Sequence, residues 1–276
     1  MMEHPLTFLY FPGGGGGGEH DMAAFAAGLR YPVRFETIAY PGWRRYVEDG
    51  FSAESLVAEL TAETVKRVPA GPVRIMGLSL GGHLGYAVAL RLREMGREVA
   101  LFCAIDSFLV ASSEPSSGWQ RRALGDALDL LRKGRFKELA TFARSKAWRA
   151  VMRLAGGRLA GQLRRFSGSG QLPAIFTADA VAEHELSMRL LLREVAPGVA
   201  ALDRNPVPLP VPAILLRTAA SAQFDQAWTR RCPHIAIREV PGKHLTLFEP
   251  ENIAGLRQAF AAAADQLESS PQMETP

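Results

Sequence analysis

The 276-residue chain is 47% hydrophobic and 22% charged, ordinary values for a globular domain, with a formal charge of +4. No apolar run is long enough to cross a bilayer as a helix, and MMEHPLTFLYF lacks the basic stretch, apolar core and small-residue cleavage site of a secretion signal. Cys103 and Cys232 are too far apart for a metal spacing or a disulfide framework, which fits a reducing, cytoplasmic location.

Short apolar runs alternate with helix-like segments, which predicts an α/β fold: a mainly parallel sheet with helices on both faces. Strands are expected at 7–11, 34–40, 73–77, 98–105, 212–218 and 235–240. The first runs into FPGGGGGG (11–18). After the second, Ser52 is a plausible N-cap for a helix with Leu56, Leu60 and Val65 on one face. GGHLGYAVALRLREMG, after the third, is apolar nearly all round until Gly96 ends it, so that helix is expected to be buried. Residues 107–205 look helical throughout, with stripes at Leu124, Leu128, Leu131 and at Phe136, Leu139, Phe142. Such a block inserted in a parallel sheet predicts a lid over the strands' carboxyl ends. NPVPLPVP (205–212) returns the chain to the sheet. A final helix aligns Ile253, Leu256, Phe260 and Leu267, and residues 268–276 are expected to be a disordered tail. The whole is expected to be one domain.

GLSLG (77–81) matches G-x-S-x-G between an apolar strand and a helix. A strand-to-helix turn that tight strains Ser79 and exposes its hydroxyl at a helix N-terminus, where negative charge is favoured. Serine needs a base to take its proton. His244, in PGKHLTLFEP after the last strand, stands where the serine–acid–histidine order of an α/β-hydrolase puts it. His83 follows the elbow on the helix and reads as a packed or solvated histidine. Two residues compete as the acid: Asp106, ending the strand after the elbow helix, and Asp225, after the next strand. Spacing does not choose between them, since both lie on loops at one sheet edge; an N-cap or first-turn role is the competing explanation for Asp225.

VRIMGLSLGGHLGYAVALRLREMGREVALFCAIDSF (73–108) resembles the central segment of thioesterase domains from nonribosomal-peptide and polyketide assembly lines. The likeness rests on Leu92, Gly96, Val99 and Asp106-Ser107 in that order, with FPG (11–13) and GKHLTLF (242–248) as further landmarks. It covers the sheet and the last helix and hardly touches 107–205. It implies Asp106 as the acid. Leu78, before the serine, departs from the aromatic or histidine that many relatives carry.

No lysine follows the six glycines, so they are no Walker loop, and G-x-G-x-x-G is met trivially. In a hydrolase this loop supplies the second N–H of an oxyanion hole, which nominates Leu80 and Gly14 as donors. Between 115 and 170 stand thirteen Lys and Arg against three acids. Nothing there resembles a nucleic-acid module, and neither nucleic acid nor membrane is expected as a partner. An acidic acyl or peptidyl carrier protein, bearing its chain on phosphopantetheine, would be steered by such a surface, with Arg132, Lys133 and Arg135 as contacts. A solvated helix face explains the same charges. The expected activity is release of an acyl, peptidyl or polyketide chain by hydrolysis or cyclisation, with no cofactor and no metal; a carboxylesterase or lipase-like hydrolase of free oxygen esters is the alternative. Beginning at methionine and lacking a G-x-D-S carrier motif, the chain is expected to be freestanding.

Overall fold

The computed structural model describes residues 6–14, 19–30, 32–48, 50–108, 128, 131–155 and 180–269. Among them six strands form one parallel sheet in the order β2-β1-β3-β4-β5-β6. They are β1 (Leu6–Phe11), β2 (Val33–Thr37), β3 (Val73–Leu78), β4 (Val99–Ile105), β5 (Ala213–Arg217) and β6 (Ile235–Glu239), each within three residues of its predicted ends. Strands buried on both faces read as near-continuous apolar runs, and Phe8 to Phe11 and Phe102 to Ile105 are all buried.

Alternation along the strands sorts the helices onto two faces. Phe8, Tyr10, Met76, Cys103 and Ile214 share a core with Phe25 of α1 (Glu19–Ala27) and with Leu256 and Phe260 of α8 (Pro250–Ser269). Phe25 is its hub: its ring lies 5.9 Å from Phe35 and 5.7 Å from Phe260, and meets Phe248 edge-on at 6.4 Å. The alternate residues Phe11, Ile75 and Phe102 face α4 (Leu80–Glu94), whose Gly85 lies against them. α4 packs in turn on α3 (Ala53–Arg67), which starts directly after Ser52 and buries Leu56 and Leu60. Gly96, with φ +73°, ends α4: its N–H reaches the Arg93 carbonyl while the Arg97 N–H reaches that of Leu92. This αL stop is the one that glycine makes without a Cβ clash.

Between β4 and β5 the described residues hold helices and no strand: α5 (Phe136–Ala155) and α6 (Ala180–Arg204). By contacts the chain divides into two units, one of Met1–Tyr40, Ala53–Leu109 and Gly198–Pro276, the other of Pro41–Ser52 and Val110–Pro197. The second contains the short α2 (Trp43–Tyr46) and α5. The boundary falls inside α6 at Pro197, where the helix loses a backbone donor. The predicted helical stripes are more exposed than core spacing implies: Phe136 is 66% exposed and Leu131 48%. Spacing marks which residues share a face and not whether anything covers it. Leu124, Trp119 and Phe166 lie outside the described residues. α8 extends through Ser269, so the first two residues of the expected tail are helical, and the rest lie outside the described residues.

Truncating the hub tests the core. Phe25→Ala should lower unfolding free energy by about 3–5 kcal/mol in urea denaturation. A loss under about 1 kcal/mol would mean the aromatic cluster is not a support of this face.

Candidate active site

A parallel sheet puts its crevice where successive strands diverge. Here β2 and β3 lie on opposite sides of β1, so the loops leaving β1 and β3 part at their carboxyl ends. The glycine loop follows β1 and Ser79 follows β3.

Ser79 has φ 53° and ψ −119°, a left-handed region costly for a residue with a Cβ, and α4 begins at the next residue. Its N–H donates to the Ile105 carbonyl at 2.8 Å, extending the β3–β4 pairing by one step. The elbow closes because its glycines vacate the space. A Cβ on Gly81 would collide with the Phe11 and Pro12 carbonyls, one on Gly77 with the Gly81 backbone, and one on Gly82 with the Ser107 side chain. The loop after β1 reaches the serine: a Cβ on Gly13 would stand 3.7 Å from that of Ser79. Tyr40 holds this loop, its hydroxyl donating to the Pro12 carbonyl at 2.7 Å. Gly14 follows in a turn, half-buried, and the rest of the glycine run lies outside the described residues. Leu80, first residue of α4, has no intrahelical acceptor for its N–H.

Asp106 directly follows β4, with φ 42° and no exposed surface. Its N–H donates to the Leu216 carbonyl at 2.7 Å. One carboxylate oxygen, Oδ1, accepts from the Thr218 N–H at 2.9 Å, the Thr218 hydroxyl at 3.0 Å and the Ser221 hydroxyl. The other, Oδ2, lies 2.7 Å from Nδ1 of His244. Burial pushes this carboxyl's pKa up, but the hydrogen bonds from His244, Ser221 and the Thr218 N–H outweigh it and hold it below the usual aspartate value. A carboxylate only accepts, so Nδ1 carries the proton and Nε2 is left as a base. Phe108 meets the imidazole edge-on at 5.0 Å and stacks on Phe224 at 5.5 Å. Among the described residues Ser79 Oγ has no hydrogen bond to the imidazole; such bonds often tighten only with substrate present.

The structure therefore brings His244 to Asp106 and not to Asp225. Asp225, in the first turn of α7 (Asp225–Arg231), is held by Arg217 Nε at 3.1 Å and 3.2 Å. His83 is buried, stacked on Trp228, with Nδ1 2.8 Å from Nη1 of Arg231; burial first, and the neighbouring guanidinium second, keep it neutral. Cys103 and Cys232 are buried, and burial pushes both thiols up. Arg132 and Lys133 are exposed and Arg135 half-buried, just before α5. Among the described residues no group of His, Cys, Asp and Glu is gathered as a metal site, and no helix is long and apolar enough to cross a membrane. Thr218 and Ser221 escaped the sequence reading, because a hydroxyl two elements away carries no pattern that links it to Asp106.

The residue pattern described as Thioesterase domain matches residues 7–261. The chain belongs to the thioesterase domain family. The chondramide synthase CmdD of Chondromyces crocatus is 23% identical over 295 aligned residues, which take in 97% of this chain. This thioesterase domain spans only 7% of that synthase's length. Among solved structures its fold is similar to the NocB thioesterase domain in covalent complex with a fluorophosphonate nocardicin G analog (TM-score 0.56, 18% identity, 95% of both chains). It is also similar to the wild-type Vlm2 thioesterase domain (TM-score 0.56, 16% identity, 95% of both chains). A third likeness is to the four-domain nonribosomal peptide synthetase AB3403 (TM-score 0.57, 18% identity), with 97% of this chain on 20% of that one. These likenesses bear out the predicted α/β-hydrolase fold, mainly parallel with helices on both faces.

The lowered pKa of Asp106 has a signed consequence for stability. A depressed folded pKa stabilises fully above the unfolded aspartate value of about 3.9 and ceases to do so as pH falls through the folded value. Urea unfolding of the parent and Asp106→Asn should therefore differ by roughly 1–3 kcal/mol at neutral pH and converge in acid below that range. A difference that stays constant into acid would contradict the assignment.

Proposed function

We propose that this thioesterase domain releases a chain held as a thioester on the phosphopantetheine of a carrier protein, through an acyl-enzyme on Ser79. The reading rests above all on the hydrogen bond from His244 Nδ1 to buried Asp106 at the sheet edge that also carries the strained elbow serine. In this mechanism Ser79 Oγ bonds to the thioester carbonyl carbon as its proton passes to His244 Nε2. Asp106 orients the imidazole and stabilises its charged form. The carbonyl oxygen becomes an oxyanion facing the N–H groups of Leu80 and Gly14. Collapse breaks the C–S bond, and the departing sulfur takes the proton from the imidazolium as a free thiol. Water then attacks the acyl-enzyme and loses a proton to Nε2, which returns it to the leaving Ser79 oxygen. A hydroxyl or amine within the bound chain in place of water would give a ring.

Membership of the family favours thioesters over free oxygen esters, and the likeness to a nonribosomal peptide synthetase favours nonribosomal-peptide chemistry. Selection of the chain is assigned to the segment 107–205. Its basic surplus, with Arg132, Lys133 and Arg135, suits an acidic carrier, since opposite charge speeds encounter without adding buried contacts.

Two measurements test this. Intact-protein mass spectrometry with a panel of acyl-pantetheine thioesters should find an acyl adduct on the parent and none on Ser79→Ala, with turnover of that variant down by roughly a thousandfold or more. Cleavage of oxygen esters alone, with no thiol released from any thioester, would favour the carboxylesterase. Second, reversing Arg132, Lys133 and Arg135 to Glu should raise KM for carrier-bound substrate about tenfold at low salt, while leaving a small pantetheine thioester unaffected. An unchanged KM would remove these residues from the docking surface.

A further inference from the structure

Asp106 has two oxygens of equal chemistry, yet only one serves the imidazole. The turn leaving β5 explains how they are told apart. Thr218 and Ser221, 2% and 4% exposed, direct an N–H and two hydroxyls at Oδ1, leaving Oδ2 to His244. In the serine–acid–histidine order of this fold, the loop after that strand is a place for the acid itself. Here it supplies donors to an acid standing on the neighbouring strand.

We propose that Ser221 and Thr218 are positioning residues of the triad, which lock the Asp106 carboxylate in the orientation that serves His244 and set how much of its charge the imidazole feels. The inference rests on the Ser79–His244–Asp106 reading above. The Ser221 hydroxyl has one proton and three acceptors in reach, the Thr218 carbonyl at 3.1 Å, the Thr218 hydroxyl at 3.4 Å and Asp106 Oδ1. The charged acceptor makes the stronger bond and takes it. Other charges on the surrounding elements do not supply this function: Arg217 holds Asp225 and Glu239, His83 holds Arg231, and Lys243 is exposed. With Oδ1 filled, rotation of the carboxylate would break three bonds in a buried site, so its aim is held. Those same bonds withdraw negative charge from Oδ2. Removing them leaves a stronger partner for the imidazolium, so His244 keeps its proton to higher pH.

The test is the pH profile of kcat/KM on a small acyl-pantetheine thioester for Ser221→Ala, Thr218→Val, the double variant and Ser221→Thr. Ser221→Ala should lower kcat/KM roughly 10- to 100-fold and move the acid limb up by about half a pH unit or more. The double variant should extend both changes, and Ser221→Thr, which keeps the hydroxyl, should restore them. The Nδ1 proton resonance of His244 should shift in step. Circular dichroism and Tm identify folded variants, and Ser221→Ala alone suffices if the double variant does not fold. A folded Ser221→Ala with an unmoved acid limb and resonance, or a loss equal at every pH, overturns the proposal. Ser79→Ala and Asp106→Asn separate the two ideas. If both retain turnover the triad reading itself fails; if both abolish it while Ser221→Ala leaves the profile unmoved, only the positioning role is lost.

Discussion

A carboxylate with no exposed surface is the constraint on which the rest of this site depends. An ion removed from water must recover in hydrogen bonds what it loses in hydration, or it takes up a proton. Asp106 recovers it from three parts of the chain at once: the Thr218 backbone, the Thr218 and Ser221 hydroxyls, and the His244 imidazole. Thr218 and Ser221 arrive on the loop after β5 and His244 on the loop after β6. The parallel sheet brings them together because all its strands present their carboxyl ends at one edge.

The Ser79 side of the site is governed by close approach instead of charge. α4 starts so near β1 that Gly81 sits against the Phe11 and Pro12 carbonyls, and Gly82 against Ser107, the residue after Asp106. Ser79 accepts a strained backbone as the consequence, with its N–H tied to the end of β4. The elbow, the loop after β1 and Asp106 are thus mechanically joined. Trp228 reinforces the junction from α7: its indole N–H donates to the Ser107 carbonyl at 2.7 Å while its ring stacks on His83 and Phe102. Through Arg231, whose guanidinium lies 5.1 Å from the Tyr86 ring centroid and 5.0 Å from that of Trp228, α7 is bound to α4 as well.

The strands were legible because parallel strands buried on both faces leave dense apolar runs, and β4 or β5 has few other readings. Ser79 and His244 were legible because each lies in a local motif with a fixed neighbourhood. The exposure of Phe136 was not legible, since helical spacing is satisfied equally by a covered stripe and by one left open. Leu80 and Gly14 were nominated by position in a motif, which names the peptide and leaves the direction of its N–H to the loop around it.

The sequence by itself determined the alternation of strand and helix, the elbow, the basic surplus of 115–170 and the two aspartates that follow successive strands. Only the tertiary structure shows which of those aspartates meets His244. Local spacing is blind to which loop meets which across the sheet, and Asp225 and Asp106 are equivalent until Arg217 takes the first and His244 the second. The same holds for Thr218 and Ser221, more than a hundred residues from Asp106 in the chain and within hydrogen-bond reach of it in space. Pairing between distant loops follows from strand order, and strand order is a property of the assembled sheet.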